Sequence, residues 1–288
     1  MEEKNTVMEK SWSCTAGFSL EITAKDIDGL RQVSGHLAAG TIVTIPFIAS
    51  ESDVMRARMA TSLRHHGFVP MPHIAARRLT TQAELRNFLA NLTRGAGVDR
   101  LLIIAGDCPS PEGPYEDSLA VIKTGILSDY GIRHVAISGY PEGNPKIPET
   151  GLLELMADKI AALTGQGIEV EIATQFSFSA ESILTWLSKI RSAGIHVPVR
   201  VGIPGPASAR TLLRYATMCG VGASKSVLLR YGFSLTHLMG RAGPDKLVNH
   251  LSAFYRPDEH GRVYAHYYPF GGLQDLLFWL ANQDDATR

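Results

Sequence analysis

The chain alternates about eight times between a short apolar run of strand length and a longer run with helical periodicity. Such alternation demands parallel strands joined by crossover helices, because a strand re-entering a sheet in the same sense needs a dozen or more residues to return. Strand-length runs fall at 17–23, 41–47, 68–74, 101–105, 134–138, 168–174, 197–203 and 263–268. Helical runs fall at 26–36, 50–66, 80–92, 115–130, 152–163, 180–192, 208–218 and 273–281, with two additional helices at 226–239 and 244–255. Local signals support these starts and stops: Ser50-Glu51-Ser52-Asp53 reads as an N-cap, Thr81 with Glu84 as a capping box, and Gly220 as a helix stop. Eight units in one domain predict an α/β fold, a closed (β/α)8 TIM barrel over residues 15–288 behind a loose tail at 1–14. The competing open, doubly wound sheet usually carries an early glycine-rich loop such as GxGxxG, and this chain has none.

Composition removes several classes of function. Lys plus Arg and Asp plus Glu are both 28, so no net positive charge favours a nucleic acid. Cys14, Cys108 and Cys219 are scattered and form no CxxC pair, which suits a reducing, cytoplasmic setting. No His/Cys cluster has zinc spacing, and no metal is expected. No apolar run approaches the roughly 18–20 residues of a membrane span, so no membrane association is expected. The apolar segment 228–239 suits either an extra core helix or the interface of a homo-oligomer.

In a barrel the C-terminal ends of all strands face one mouth. Those ends offer Glu21, Pro46, His73, Asp107, the run Gly139-Tyr140-Pro141-Glu142, Gln175, Pro204 and His266. The fourth strand is the clearest. Leu101 to Ile104 are uninterrupted aliphatics, read as buried on both faces, and the run stops at Ala105-Gly106-Asp107-Cys108-Pro109. Glycine there admits a flat ligand, and the carboxylate accepts from a ligand edge bearing N–H groups. No strand-end Lys suits a Schiff base, and no Ser/His/Asp or Cys/His pairing emerges. The set fits redox chemistry carried by an organic cofactor, with the protein supplying orientation and a proton.

Six segments in order carry a resemblance: Ser19-Leu20-Glu21, Met71-Pro72-His73, Ala105-Gly106-Asp107, Gly139-Tyr140-Pro141-Glu142-Gly143-Asn144-Pro145, Ala173-Thr174-Gln175-Phe176, and Ala193 to Pro198 continuing to Gly202-Ile203-Pro204-Gly205. Together they resemble the flavin-dependent methylenetetrahydrofolate reductase family, as a divergent bacterial-type member without a regulatory domain. The resemblance implies FAD in the barrel and NAD(P)H as co-substrate. It implies hydride transfer that interconverts 5,10-methylene- and 5-methyltetrahydrofolate. Glu21 matches the general acid and Asp107 the carboxylate that meets the pterin beside the flavin. Gln175 matches the residue contacting folate and nicotinamide. Phe178 joins the substrate-binding set, and both Phe176 and Phe178 also suit core packing. His73, Gly106, Tyr115, Tyr140 and Asn144 match FAD-holding positions, as does Lys159 for a phosphate. Ala105 stands where an Arg is usual and Asn144 where a His is usual.

Other departures are Ile22-Thr23-Ala24-Lys25 for Phe-Phe-Pro-Pro, Pro46 for a strand-end Thr, and His266-Tyr267-Tyr268-Pro269-Phe270 in the last strand. They leave the donor nucleotide and the direction open, including a catabolic route from methyl- to methylene-folate. A flavin-free partner subunit and a non-redox barrel lyase are the alternatives. The lyase lacks a Schiff-base Lys or a metal set at the mouth.

Overall fold

The structure is a computed structural model that describes residues 12–23, 35, 37–145, 147–221 and 241–286. The helices expected at 26–36 and 226–239 lie outside these residues, apart from Gly35. Eight parallel strands close into a barrel: β1 (Ser19–Glu21), β2 (Ile42–Ile45), β3 (Val69–Ala75), β4 (Arg100–Ile104), β5 (His134–Gly139), β6 (Glu169–Phe176), β7 (Val199–Pro204) and β8 (Val263–Tyr268). Each pairs with its sequence neighbours, and β8 closes on β1 through Ser19 opposite His266 and Leu20 opposite Tyr267. The expected (β/α)8 architecture is therefore the observed one.

Helix α1 (Asp53–His65) starts at Ser52, whose hydroxyl accepts from the Met55 N–H. Helix α2 (Gln82–Ala96) starts at Thr81, whose hydroxyl accepts from the Glu84 N–H at 3.1 Å. Glu84 reaches back to the Thr80 N–H rather than to that of Thr81, one residue earlier than the capping box would have it. Leu85, Phe88, Leu89 and Leu92 make the buried face of α2. Each stabilises the fold by about 1.5–3 kcal/mol on burial. The single helix expected at 115–130 is instead two short ones, α3 (Ser118–Lys123) and α4 (Ile126–Asp129). The break is Gly125, whose φ of 71° is a left-handed conformation that halts the helix. Helices α5 (Glu149–Thr164) and α6 (Ala180–Ser192) follow β5 and β6 as expected.

The seventh unit departs from the simple pattern. Helix α7 (Ala209–Cys219) is bracketed by a two-stranded antiparallel neck, Ala207–Ser208 against Arg241–Ala242. Its last residues border the mouth instead of returning along the barrel wall, since Cys219 and Gly220 line a cavity with Tyr140 and Gln175. The wall position belongs to α8 (Asp245–Phe254), which packs on α6. It is tied to α10 (Leu273–Ala286) by the Trp279 indole donating to Asp245 at 2.9 Å. A short α9 (Pro257–His260) leads into β8.

Side-chain alternation divides each strand. Leu20, Val43, Ile74, Leu101, Ile103, Val135, Ile172 and Val201 join the large core between barrel and helices. Inside the barrel, Met71, Leu102, Ala136 and Ala173 form a separate small apolar cluster. Buried polar side chains also sit on the strands: Ser19, Thr44, His73, Arg200 and His266. Apolar branched residues usually fill a TIM-barrel interior. A buried polar group costs free energy unless it is bonded, so this polar set needs an explanation.

Candidate active site

Glu21 ends β1 on the barrel interior, two residues beyond Ser19. Its carboxyl is 19% exposed and hydrogen-bonds Thr44 of β2. Burial raises its pKa to about 7, and the Thr44 bond opposes that rise only in part. Glu21 therefore keeps its proton into the neutral range.

His73 does not end its strand as expected; β3 runs on to Ala75. The imidazole consequently lies one layer inside the barrel, 9% exposed, with Nε2 at 3.5 Å from Glu21 Oε2. Burial, with the Arg56 cation nearby, lowers its pKa to about 3. Below about pH 7 the two groups are thus an uncharged acid beside an uncharged imidazole rather than an ion pair. Arg56 is itself held between the rings of Phe47 and Phe88, at 5.0 and 4.4 Å, and donates to the His73 carbonyl at 2.7 Å. On β8, which pairs with β1, His266 shares a 2.9 Å hydrogen bond with Ser19. Burial and the Arg200 cation lower the His266 pKa to about 3.

Gln175 sits in an irregularity of β6, where the register against β7 shifts between Ala173 and Phe176. Gly202 makes this possible: a Cβ there would stand 2.7 Å from the Phe176 nitrogen and the Thr174 oxygen. The Gln175 Oε1 accepts from the Phe176 N–H at 3.1 Å, and its side chain also hydrogen-bonds Cys219. Solvent reaches Cys219, yet partial loss of hydration pushes its thiol pKa up, and the nearby Glu21 adds to the shift. Tyr268 donates to the Thr174 carbonyl at 3.0 Å, and burial pushes its phenol well above the ordinary value. Phe176, Tyr268, Phe270 and Tyr215 continue as an aromatic wall, with Tyr215 stacked on Phe270 at 4.1 Å. Glu21, His73, Gln175, Cys219 and Tyr268 therefore form one connected group.

The remaining expected residues take different positions. Asp107 lies on the outer rim, its side chain 84% exposed and paired with Arg78 at 2.8 Å. Arg78 also holds Glu112 at 2.7 Å. Gly106, with φ 96°, brings the chain against Ala75 and Arg78 as it leaves β4, and Ala105 lies just past the strand end. Tyr115 and Phe178 are buried in the main core, and Phe178 meets Phe176 edge-on. Neither lines the mouth. Tyr140 and Asn144 sit on a rim loop fastened by Glu142, which accepts from the Ser177 hydroxyl at 2.6 Å. They border a small pocket of about 20 Å³ with Gln175, Phe176 and Cys219. A groove of about 340 Å³ shares Tyr140, Pro141 and Gly143 with it and continues between α5 and α6 past Trp186 and Lys189. Lys159 is partly desolvated, which lowers its pKa despite Asp117 nearby. Thr44, Cys219, Tyr268 and Tyr215 had no motif to mark them in the sequence. The one available signal was the inward parity of Thr44 and Tyr268 with Glu21 and His266 on their strands.

Among the described residues no helix is long and apolar enough to cross a membrane.

Comparison with known proteins adds a lineage. "Methylenetetrahydrofolate reductase 2" of Saccharomyces cerevisiae is 30% identical over 132 residues, 42% of this chain and 21% of that protein. The 5,10-methylenetetrahydrofolate reductase of Salmonella typhimurium is 29% identical over 143 residues, 49% of this chain and 46% of that protein. The chain thus spans about a fifth and under half of these curated relatives. Among solved structures, an uncharacterized Clostridium thermocellum protein that binds two copies of 5-methyl-5,6,7,8-tetrahydrofolic acid superposes with a TM-score of 0.63. It is 15% identical and covers 93% of this chain and 94% of that chain, a likeness of fold. The family model of methylenetetrahydrofolate reductase matches residues 27–232, which begins after Glu21 and ends before β8. With most of the barrel inside that match, the chain belongs to the methylenetetrahydrofolate reductase family.

Proposed function

We propose that this protein interconverts 5,10-methylenetetrahydrofolate and 5-methyltetrahydrofolate, with FAD as cofactor, NAD(P)H as donor and Glu21 as general acid. The observation that carries the reading is Glu21 itself: a carboxyl at the barrel mouth that burial keeps protonated up to about pH 7. General acids work best with a pKa near the working pH.

The residues present fit a flavin dinucleotide. The mouth pocket and the longer groove beside it share Tyr140, Pro141 and Gly143, and the pocket must open to admit a flavin ring. Lys159 is a partly desolvated cation suited to a phosphate. Gly106, Tyr140 and Asn144 would hold the cofactor along the β4 and β5 ends, beside the position where Ala105 replaces the usual Arg. Bound there, FAD would supply a two-electron carrier between the nicotinamide and the folate.

The chain's own part is to bind, orient and protonate. Gln175 and Asp107 receive the polar edge of the pterin, and Asp107 exchanges part of its Arg78 pairing for it. The aromatic wall of Phe176, Tyr268, Phe270 and Tyr215 offers apolar faces to flat rings. Glu21 gives its proton to folate N10: its O–H bond breaks, an N–H bond forms, and the imidazolidine ring opens to an iminium that accepts hydride.

The test is the Glu21→Gln variant with its two half-reactions measured separately. Reduction of bound flavin by NADH or NADPH should persist, while methylenefolate reduction falls by roughly 10²–10⁴-fold. A wild-type protein without flavin absorbance, or one bleached by neither nucleotide, would overturn the cofactor part. Wild-type turnover assayed in both directions settles the reductive against the catabolic sense.

A further inference from the structure

Glu21 shares its pocket with an imidazole nitrogen that has no hydrogen-bond partner. His73 Nε2 is shut off from solvent, and Glu21 Oε2 stands 3.5 Å from it. The ring cannot easily withdraw, because Arg56 pins the His73 carbonyl at 2.7 Å. Burial, with the Arg56 cation, also keeps the ring from taking a second proton. A neutral imidazole carries one N–H, and the Glu21 oxygen at 3.5 Å is an acceptor within reach of Nε2.

We infer that His73 is the positioning residue of the acid: its Nε2–H donates to Glu21 Oε2, which leaves Oε1 to carry the proton toward the mouth. This deepens the reading of Glu21 as general acid and rests on it. The 3.5 Å separation tightens as the site fills, as catalytic hydrogen bonds do. When the Oε1–H bond breaks and the substrate N–H bond forms, the carboxylate left behind retains the His73 donor. That bond is stronger to the anion than to the acid, so it eases proton release.

The other groups around the pair are accounted for. Thr44 of β2 hydrogen-bonds the Glu21 carboxyl. Cys219 of α7 and Tyr268 of β8 face Glu21, and loss of hydration holds both uncharged. His266 of β8 and Arg56 of α1 are the cationic or imidazole neighbours of His73.

Infrared titration of the Glu21 carboxyl band reads this acid in the whole protein without turnover; the band is identified by its loss in Glu21→Gln. The wild-type band should titrate near neutrality. His73→Leu removes the donor and should raise the midpoint by about one pKa unit or more. His73→Gln, whose amide N–H reaches about as far as Nε2, should return it to within roughly half a unit of wild type. An unmoved or lowered midpoint in His73→Leu overturns the inference, as does failure of His73→Gln to restore it. If His73→Leu does not fold, His73→Asn, too short to reach Oε2, takes its place: a raised midpoint supports the inference, and an unmoved or lowered one overturns it. A colourless or inactive wild type would count against the proposed function alone, because the titration needs neither flavin nor substrate.

Discussion

Glu21 makes the stability of the whole protein depend on pH, and the sign follows from its two pKa values. The unfolded carboxyl ionises near 4.5, whereas the folded one holds its proton to about 7. Between these values the native state binds more protons, so stability is full below the unfolded value and falls as pH rises through the folded one. The loss is on the order of 3 kcal/mol by pH 8, at about 1.4 kcal/mol per pKa unit. Glu21→Gln should therefore unfold at higher urea than wild type at pH 8 and near the wild-type midpoint at pH 4.5. Equal differences at both pH values would refute the shift. His73 and His266 act in the opposite sense: both are held neutral, with folded values near 3, so stability drains away as pH falls from about 6.5 toward 3. Glu21 and Gln175 were legible because strand ends announce themselves in a parallel barrel. Asp107 is a strand-end acid, as its place in the sequence implies, but the sequence does not show Arg78 reaching it from the end of β3. Phe178 packs in the core, as its sequence reading also allowed, and Tyr115 is buried there too; an aromatic near a rim has the same composition whether it faces the mouth or the core.

At the level of single elements, local chemistry reads well and tertiary placement does not. Thr81 is a true N-cap, so Thr81→Ala should lower stability by about 1 kcal/mol, seen as a shifted denaturation midpoint with unchanged slope. Ala180–Ser192 and Val263–Tyr268 fall where periodicity put them. Helix α7 also has the expected length, yet it borders the mouth instead of the barrel wall. Amphipathic spacing states that a helix buries one face, not which surface it covers. The neck that redirects it is two residues per strand, too short for any period to register. The break at Gly125 was visible as a glycine, but a helical glycine alone is tolerated often enough that it does not enforce a stop.

For the molecule as a whole, the polar barrel interior is a specialisation that the fold must support. Near the closed end of that interior, Arg200 and Glu171 pair at 2.9 Å with side chains 7% and 12% exposed. Arg200 also donates to the Gly17 carbonyl, which ties β7 to the entry of β1. Arg200→Met alone should cost about 3–5 kcal/mol, because it strands a buried carboxylate. Arg200→Met with Glu171→Leu should recover most of that loss in the same denaturation assay. The antiparallel neck at 207–208 and 241–242 carries a different implication. Chain that departs and comes home through adjoining residues makes no demand on the spacing of the staves it leaves. That excursion is free to lengthen or shorten, so the end of α7, which borders the mouth, belongs to a stretch that selection can rewrite without rebuilding the cask.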